Sequence, residues 1–166
     1  MSYWLELGRA ASKAARVCAK IVPGEAVLVL ADTAAEEAVV RAFAVAAASE
    51  GGKVHVLVSE TQPEINREPS AAVAAAMKLS DVILDLTSQY FIHTDAYQAA
   101  RDHGARILCA SGVSVDMIVR LVDRVDYVSM AALGQRVTDV FGSGACCRVE
   151  SGDGHVLNMA LSGRVL

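Results

Sequence analysis

The sequence predicts a three-layer α/β domain: a mostly parallel β-sheet with helices on both faces, ending in a β-hairpin. Three observations carry that expectation. Four short aliphatic runs, AVLVLA (26–31), VHVLVS (54–59), VILDLT (82–87) and RILCAS (106–111), alternate with segments of helical period. The runs are nearly continuous in branched residues, as strands covered on both faces are. The tail then breaks the alternation with two strand-like runs, 145–151 and 155–162, around a Gly-Asp-Gly turn at 152–154.

Each element has its own reason. Leu7, Ala11, Ala14, Ala15 and Cys18 recur at a spacing of three to four, so the first twenty residues read as a helix that Pro23-Gly24 stops. Asp32 and Thr33 end the first strand, and either is a candidate cap for a helix over 34–49, which closes at Gly51-Gly52. The segment 60–69, polar and with two prolines, is a loop. Helices are expected over 70–79 and over 94–103, the second ending at Gly104. Ser114 is the expected cap of a helix over 115–123, and a further helix covers about 126–141. Residues 1–144 thus form the α/β domain, and 145–166 a hairpin that either closes the sheet or opens a further C-terminal domain. Right-handed crossovers favour the strand order 2-1-3-4, which brings the Asp32-Thr33 loop beside the Thr87-Ser88-Gln89 loop.

Composition excludes several function classes. The chain has 166 residues, enough for one domain with a real core, and only 5% of them are aromatic, so that core is aliphatic. Mean hydropathy is +0.37, yet no run approaches the roughly 18 apolar residues of a membrane helix. The first twenty residues lack the apolar stretch of a secretory signal, so a cytoplasmic protein is expected. Net charge is −4, with no basic stripe, which argues against nucleic acid as a partner. Cys18, Cys109, Cys146 and Cys147 form no C-x-x-C pair and read as reduced structural thiols.

Chemistry should concentrate at residues 81–96, where the third strand runs into Thr87, Ser88 and Gln89, then Tyr90 and Phe91, then His93-Thr94-Asp95. Ligands of open α/β sheets bind at the carboxyl ends of the strands. The dinucleotide fingerprint is absent: the first strand-to-helix turn reads ADTAAEE, without glycine and with Glu36 and Glu37 placed to repel phosphate. His93 and Asp95 match half of a two-histidine-one-carboxylate iron site, with His55, His103 or His155 as the remaining ligand. The commoner meaning of this spacing is that Thr94 or Asp95 caps a helix and His93 sits at the loop edge. Asp85, inside an apolar strand, must be paired or hydrogen-bonded if buried, with Thr87 and Ser88 the nearest partners in sequence. Ser111 lacks the G-x-S-x-G elbow of a serine nucleophile, and Gly112 suits a tight strand-to-helix turn.

Three segments in order, 15–33 with its PGE before the first strand, 74–109 with its D-L-T-S…H-T edge, and 114–137 with Asp116, Met117 and Arg120, extend the reading. Together they resemble the N-terminal domain of the aminopeptidase T family, which is similar to 2,5-dihydroxypyridine 5,6-dioxygenase, an iron(II) ring-cleaving enzyme. The resemblance implies a Rossmann-like support that packs in a homo-oligomer. It also implies that the metal, iron(II) or zinc/cobalt, is held by a C-terminal domain or partner subunit, with no cofactor in this chain. The resemblance points to Thr87, Ser88, Tyr90, Phe91 and His93 as the edge that reaches an active site; with Asp32 and Thr33 from the adjoining loop at the switch point they make up the candidate ligand edge, and catalytic residues are not assigned. The competing expectations are a stand-alone, non-catalytic binding or assembly module, and a complete small enzyme built on His93 and Asp95.

Overall fold

A computed structural model describes residues 3–163. The chain divides into two compact units, 1–125 and 126–166.

In the first unit four strands form one sheet: β1 (Ala26–Asp32), β2 (Lys53–Ser59), β3 (Val82–Asp85) and β4 (Arg106–Cys109). Their order is β2-β1-β3-β4 and every pairing is parallel, the order expected from right-handed crossovers. The helices are α1 (Trp4–Lys13), which widens into a π-turn over Ala14–Cys18, α2 (Glu37–Ser49), α3 (Ala71–Lys78), α4 (Asp95–Asp102) and α5 (Val115–Ile118). A second π-turn, Val119–Asp123, follows α5.

The helices split between the two faces of the sheet. Val27, Val29, Val82 and Leu84 pack under Leu7, Phe43 and Ile118 on the α1–α2–α5 side. Leu28, Leu30 and Ile83 pack under Val73, Met77, Tyr97 and Ala100 on the α3–α4 side. The central strands β1 and β3 are therefore buried on both faces, which is why they read as unbroken aliphatic runs. Alanine brings α1 and α2 close to the sheet: Ala10, Ala11, Ala15 and Ala47 are fully buried. Side-chain hydroxyls cap α3 and α4, with Ser70 accepting from the Val73 amide and Thr94 from the Tyr97 amide. Ser114 caps α5 as expected, accepting from the Met117 amide.

Three expectations need correction. Neither Asp32 nor Thr33 caps α2, which begins at Glu37 with no side-chain cap, because the Asp32 carboxylate is engaged elsewhere. The third strand stops at Asp85 rather than at residue 87, since the Thr87 amide folds back onto the Asp85 carboxylate. The hairpin does not close the sheet. Its strands β5 (Cys146–Glu150) and β6 (Val156–Ala160) form a separate antiparallel pair. The long helix α6 (Tyr127–Ser143) falls in the same unit as that hairpin. The compact units part between Val125 and Asp126. Asp126 starts α6 by accepting from the amides of Val128 and Ser129. Gly154 turns the hairpin at a φ of 79°, which favours glycine.

The α2–β2 turn is closely packed. A Cβ at Gly52 would lie 2.7 Å from Val27 Cγ2 and 3.1 Å from the Ala47 carbonyl. Gly52→Ala is expected to cost about 1–3 kcal/mol through overpacking. Urea unfolding measures it, and an unchanged midpoint would show that the turn yields freely.

Candidate functional site

The carboxyl ends of β1, β2 and β3 open on a cleft of about 220 Å³ whose lining includes Leu30, Asp32, Gln62, Arg67, Thr87 and Phe91. A network of buried polar groups fixes its floor. Asp32 is 5% exposed. Its Oδ2 accepts from the Ser88 amide at 2.9 Å and the Ser88 hydroxyl at 2.7 Å, and its Oδ1 from the Ala34 amide at 3.0 Å. One carboxylate thereby joins the loop after β1 to the loop after β3, the juxtaposition that the strand order requires.

Asp85 makes the corresponding joint between β3 and β4. It has no exposed surface. Oδ1 accepts from the Thr87 amide at 3.1 Å and the Thr87 hydroxyl at 2.7 Å, and Oδ2 from the Ser111 hydroxyl at 2.9 Å. The partners differ in one respect from the sequence expectation: Ser88 serves Asp32, and Ser111, in the turn after β4, serves Asp85. The Gly112 amide then donates to the Thr87 carbonyl at 2.8 Å, with Gly112 at a φ of 71°. Burial pushes the Asp85 carboxyl above its ordinary value, and the Thr87 and Ser111 hydrogen bonds pull against that rise. Nearby, burial, followed by the influence of Cys109 and Asp85, pushes the Tyr97 hydroxyl up.

The upper wall is the loop 60–69. Thr33 and Thr61 share a hydroxyl contact of 2.9 Å at its start. Further along, the Asn66 amide donates to the Tyr90 carbonyl at 2.9 Å, and Asn66 Oδ1 accepts from the His93 amide at 3.2 Å. Glu68 accepts from the Asp95 and Ala96 amides, so a carboxylate covers the first turn of α4. This loop contributes Gln62, Arg67 and Pro69 to the cleft, none of them singled out from the sequence. The available signal was the position of β2 beside β1, which puts the segment after β2 at the same sheet edge as Asp32.

The structure sorts the seven candidates. Asp32, Thr87 and Phe91 line the cleft. Ser88 and Thr33 brace it from outside, through Asp32 and Thr61. Phe91 is also a core side chain, meeting Tyr97 edge-on with ring centroids 5.8 Å apart. Tyr90 and His93 are exposed on the rim and do not line the cleft. The iron-site reading of His93 and Asp95 finds no support: among the described residues no three His, Cys, Asp or Glu side chains gather to hold a metal. His55 lies in β2, His103 caps the end of α4 and His155 borders the hairpin turn.

The comparisons with known proteins agree with this architecture. The family described as NicX, 2,5-dihydroxypyridine 5,6-dioxygenase, matches residues 7–165. Among solved structures the chain is similar to the 2,5-dihydroxypyridine dioxygenase from Pseudomonas putida KT2440, with a TM-score of 0.76 and 14% identity. The similarity covers 96% of this chain and 48% of that one, so this chain spans about half of its length. At that identity the likeness establishes the fold. No curated protein matches. The family match falls on the dioxygenase side of the resemblance read from the sequence and carries no link to aminopeptidase T.

Asp85 offers a direct test of the network. Its raised carboxyl takes up a proton at higher pH in the folded chain than in the unfolded one, whose value is near 3.8. The resulting stabilisation is complete below about 3.8 and is lost as pH rises through the raised value. Asp85→Asn keeps a carbonyl for Thr87 and removes the buried charge. The variant should be at least as stable as the wild type at pH 7, and the wild type should gain on it as pH falls towards about 4. Urea titrations of both proteins across that range measure the difference.

The chain belongs to the 2,5-dihydroxypyridine 5,6-dioxygenase family.

Proposed function

We propose that this chain is the N-terminal supporting and oligomerisation domain of a cytoplasmic, metal-dependent dioxygenase that opens the ring of a dihydroxylated pyridine. The observation that carries the reading is the family match over residues 7–165. The described residues do not fit an iron centre, because no group of three ligating side chains exists among them. In this reading iron belongs to residues outside this chain, in a further domain or a partner subunit, and no chemical step is assigned to it.

What this chain contributes is position. Four of the candidate side chains are already committed: Asp32 and Ser88 to each other, Thr87 to Asp85, Phe91 to the core. Thr33 is tied to Thr61. Tyr90 and His93 remain exposed on a loop that Asn66 holds from two sides. In this reading they are the side chains that meet a substrate or an adjoining domain. An exposed imidazole on an anchored loop suits a hydrogen bond to a ring hydroxyl.

The test uses the polypeptide that includes the metal-holding half. His93→Ala should lower kcat/KM for 2,5-dihydroxypyridine by about tenfold or more while iron content and the melting transition stay at wild-type values. The 166-residue chain alone should bind no iron(II) stoichiometrically. Tight equimolar iron on this chain alone would overturn the reading in favour of a complete small enzyme. Wild-type kinetics in both His93→Ala and Tyr90→Ala would reduce this domain to a non-catalytic assembly module.

A further inference from the structure

One edge of the sheet is open along its whole length. Among the described residues β2 pairs only with β1. The Lys53 amide donates to the Glu25 carbonyl at 2.7 Å and the Ser59 carbonyl accepts from the Thr33 amide at 3.0 Å. The odd-numbered residues of β2 therefore turn their peptide groups towards β1. Peptide groups alternate sides along a strand, so Val54, Val56 and Val58 aim theirs away from the sheet. None of those amides or carbonyls has a partner among the described residues. The three valine side chains also share one face, where Val56 is 50% and Val58 58% exposed.

Natural edge strands are blunted by shortness, proline, bulges or inward charges. β2 has seven residues, no proline, and a single charged residue, Lys53, at its first position. The opposite edge is different. β4 has four residues, and the Arg106 and Ala110 amides are spent on β3, leaving only Ile107 and Cys109 to face out. Its Arg106 side chain is tied back to Glu25 at 2.7 Å.

We propose that β2 is where two copies of this chain join, edge to edge and antiparallel, about a two-fold axis through Val56. The hydrogen-bonding groups set the register. Centring on Val56 places Val54 opposite Val58 of the second copy and Val56 opposite its own counterpart. Each such pair exchanges two bonds, about six in all. Moving the axis by one residue pairs an outward valine with Gly52 or Glu60, beyond the strand ends. The axis through Val56 also places Lys53 opposite Ser59 of the other copy, so no like charges face each other across the seam. The six valines form one continuous apolar strip across the joint, and the contact closes on itself as a two-fold interface must. This joint deepens the oligomerisation part of the proposed function but rests on the sheet edge and holds whether or not the chain serves a dioxygenase.

Sedimentation and light scattering of the chain at about 100 μM suit the small interface, which belongs to the weak end of the size range. The wild type should have the mass of a dimer or an even multiple. Val56→Lys sets two ammonium groups against each other on the axis and should halve that mass while the far-ultraviolet circular dichroism stays the same. Val56→Pro removes the outward amide at an edge position that tolerates proline, and should do likewise. If Val56→Pro does not melt cooperatively, Val56→Lys alone decides. A monomeric wild type, or a Val56→Lys protein that keeps the wild-type mass, overturns the proposal.

Discussion

Two carboxylates withdrawn from water at the ends of the central strands hold this sheet edge in one geometry. Asp32 and Asp85 lie at the carboxyl ends of neighbouring strands, 5% and 0% exposed. Burying either without partners would cost several kcal/mol. Each instead collects amide and hydroxyl donors from the loops that follow. No buried side-chain oxygen or nitrogen among the described residues lacks a hydrogen bond. The bonds that satisfy the charges are the same bonds that fix the loops, so the cleft is rigid because its floor cannot rearrange without stranding a carboxylate.

Much of this was legible in the sequence, and the exceptions share a cause. The strand order followed from chain connectivity, and Ser114 announced its cap, because both depend on near neighbours or on handedness. The contact between the Asp32 and Ser88 loops was legible for the same reason, once the order was known. What escaped were choices made across strands. Ser88 and Ser111 are each a reasonable partner for Asp85, and only the placement of β4 beside β3 decides for Ser111. The start of α2 at Glu37 depends on Asp32 being occupied by a residue 56 positions away. Gln62 and Arg67 entered the cleft through a loop with no motif of its own.

The second unit shows the opposite balance of forces. Within it, α6 presents Met130, Leu133, Val137 and Val140 at spacings of three and four, a single apolar stripe. None of the α6 residues is buried, and every residue of β6 is exposed. A two-stranded hairpin by itself is marginal in water, and neither it nor α6 encloses a buried core within this unit. The first unit, by contrast, buries a two-sided core.

A shifted carboxyl and an exposed imidazole mark different things in this fold. Asp85 has the raised value that often betrays a functional acid. Yet the group has no exposed surface, and both of its oxygens accept from Thr87 or Ser111. A proton held there has no route to a substrate without dismantling the β3–β4 joint, so the perturbation reflects the cost of a structural charge. His93 is the reverse case. It is exposed, and its loop is anchored through its own backbone amide rather than its ring. Function needs access as well as placement, and at this sheet edge access lies with the rim residues while the perturbed groups stay underneath.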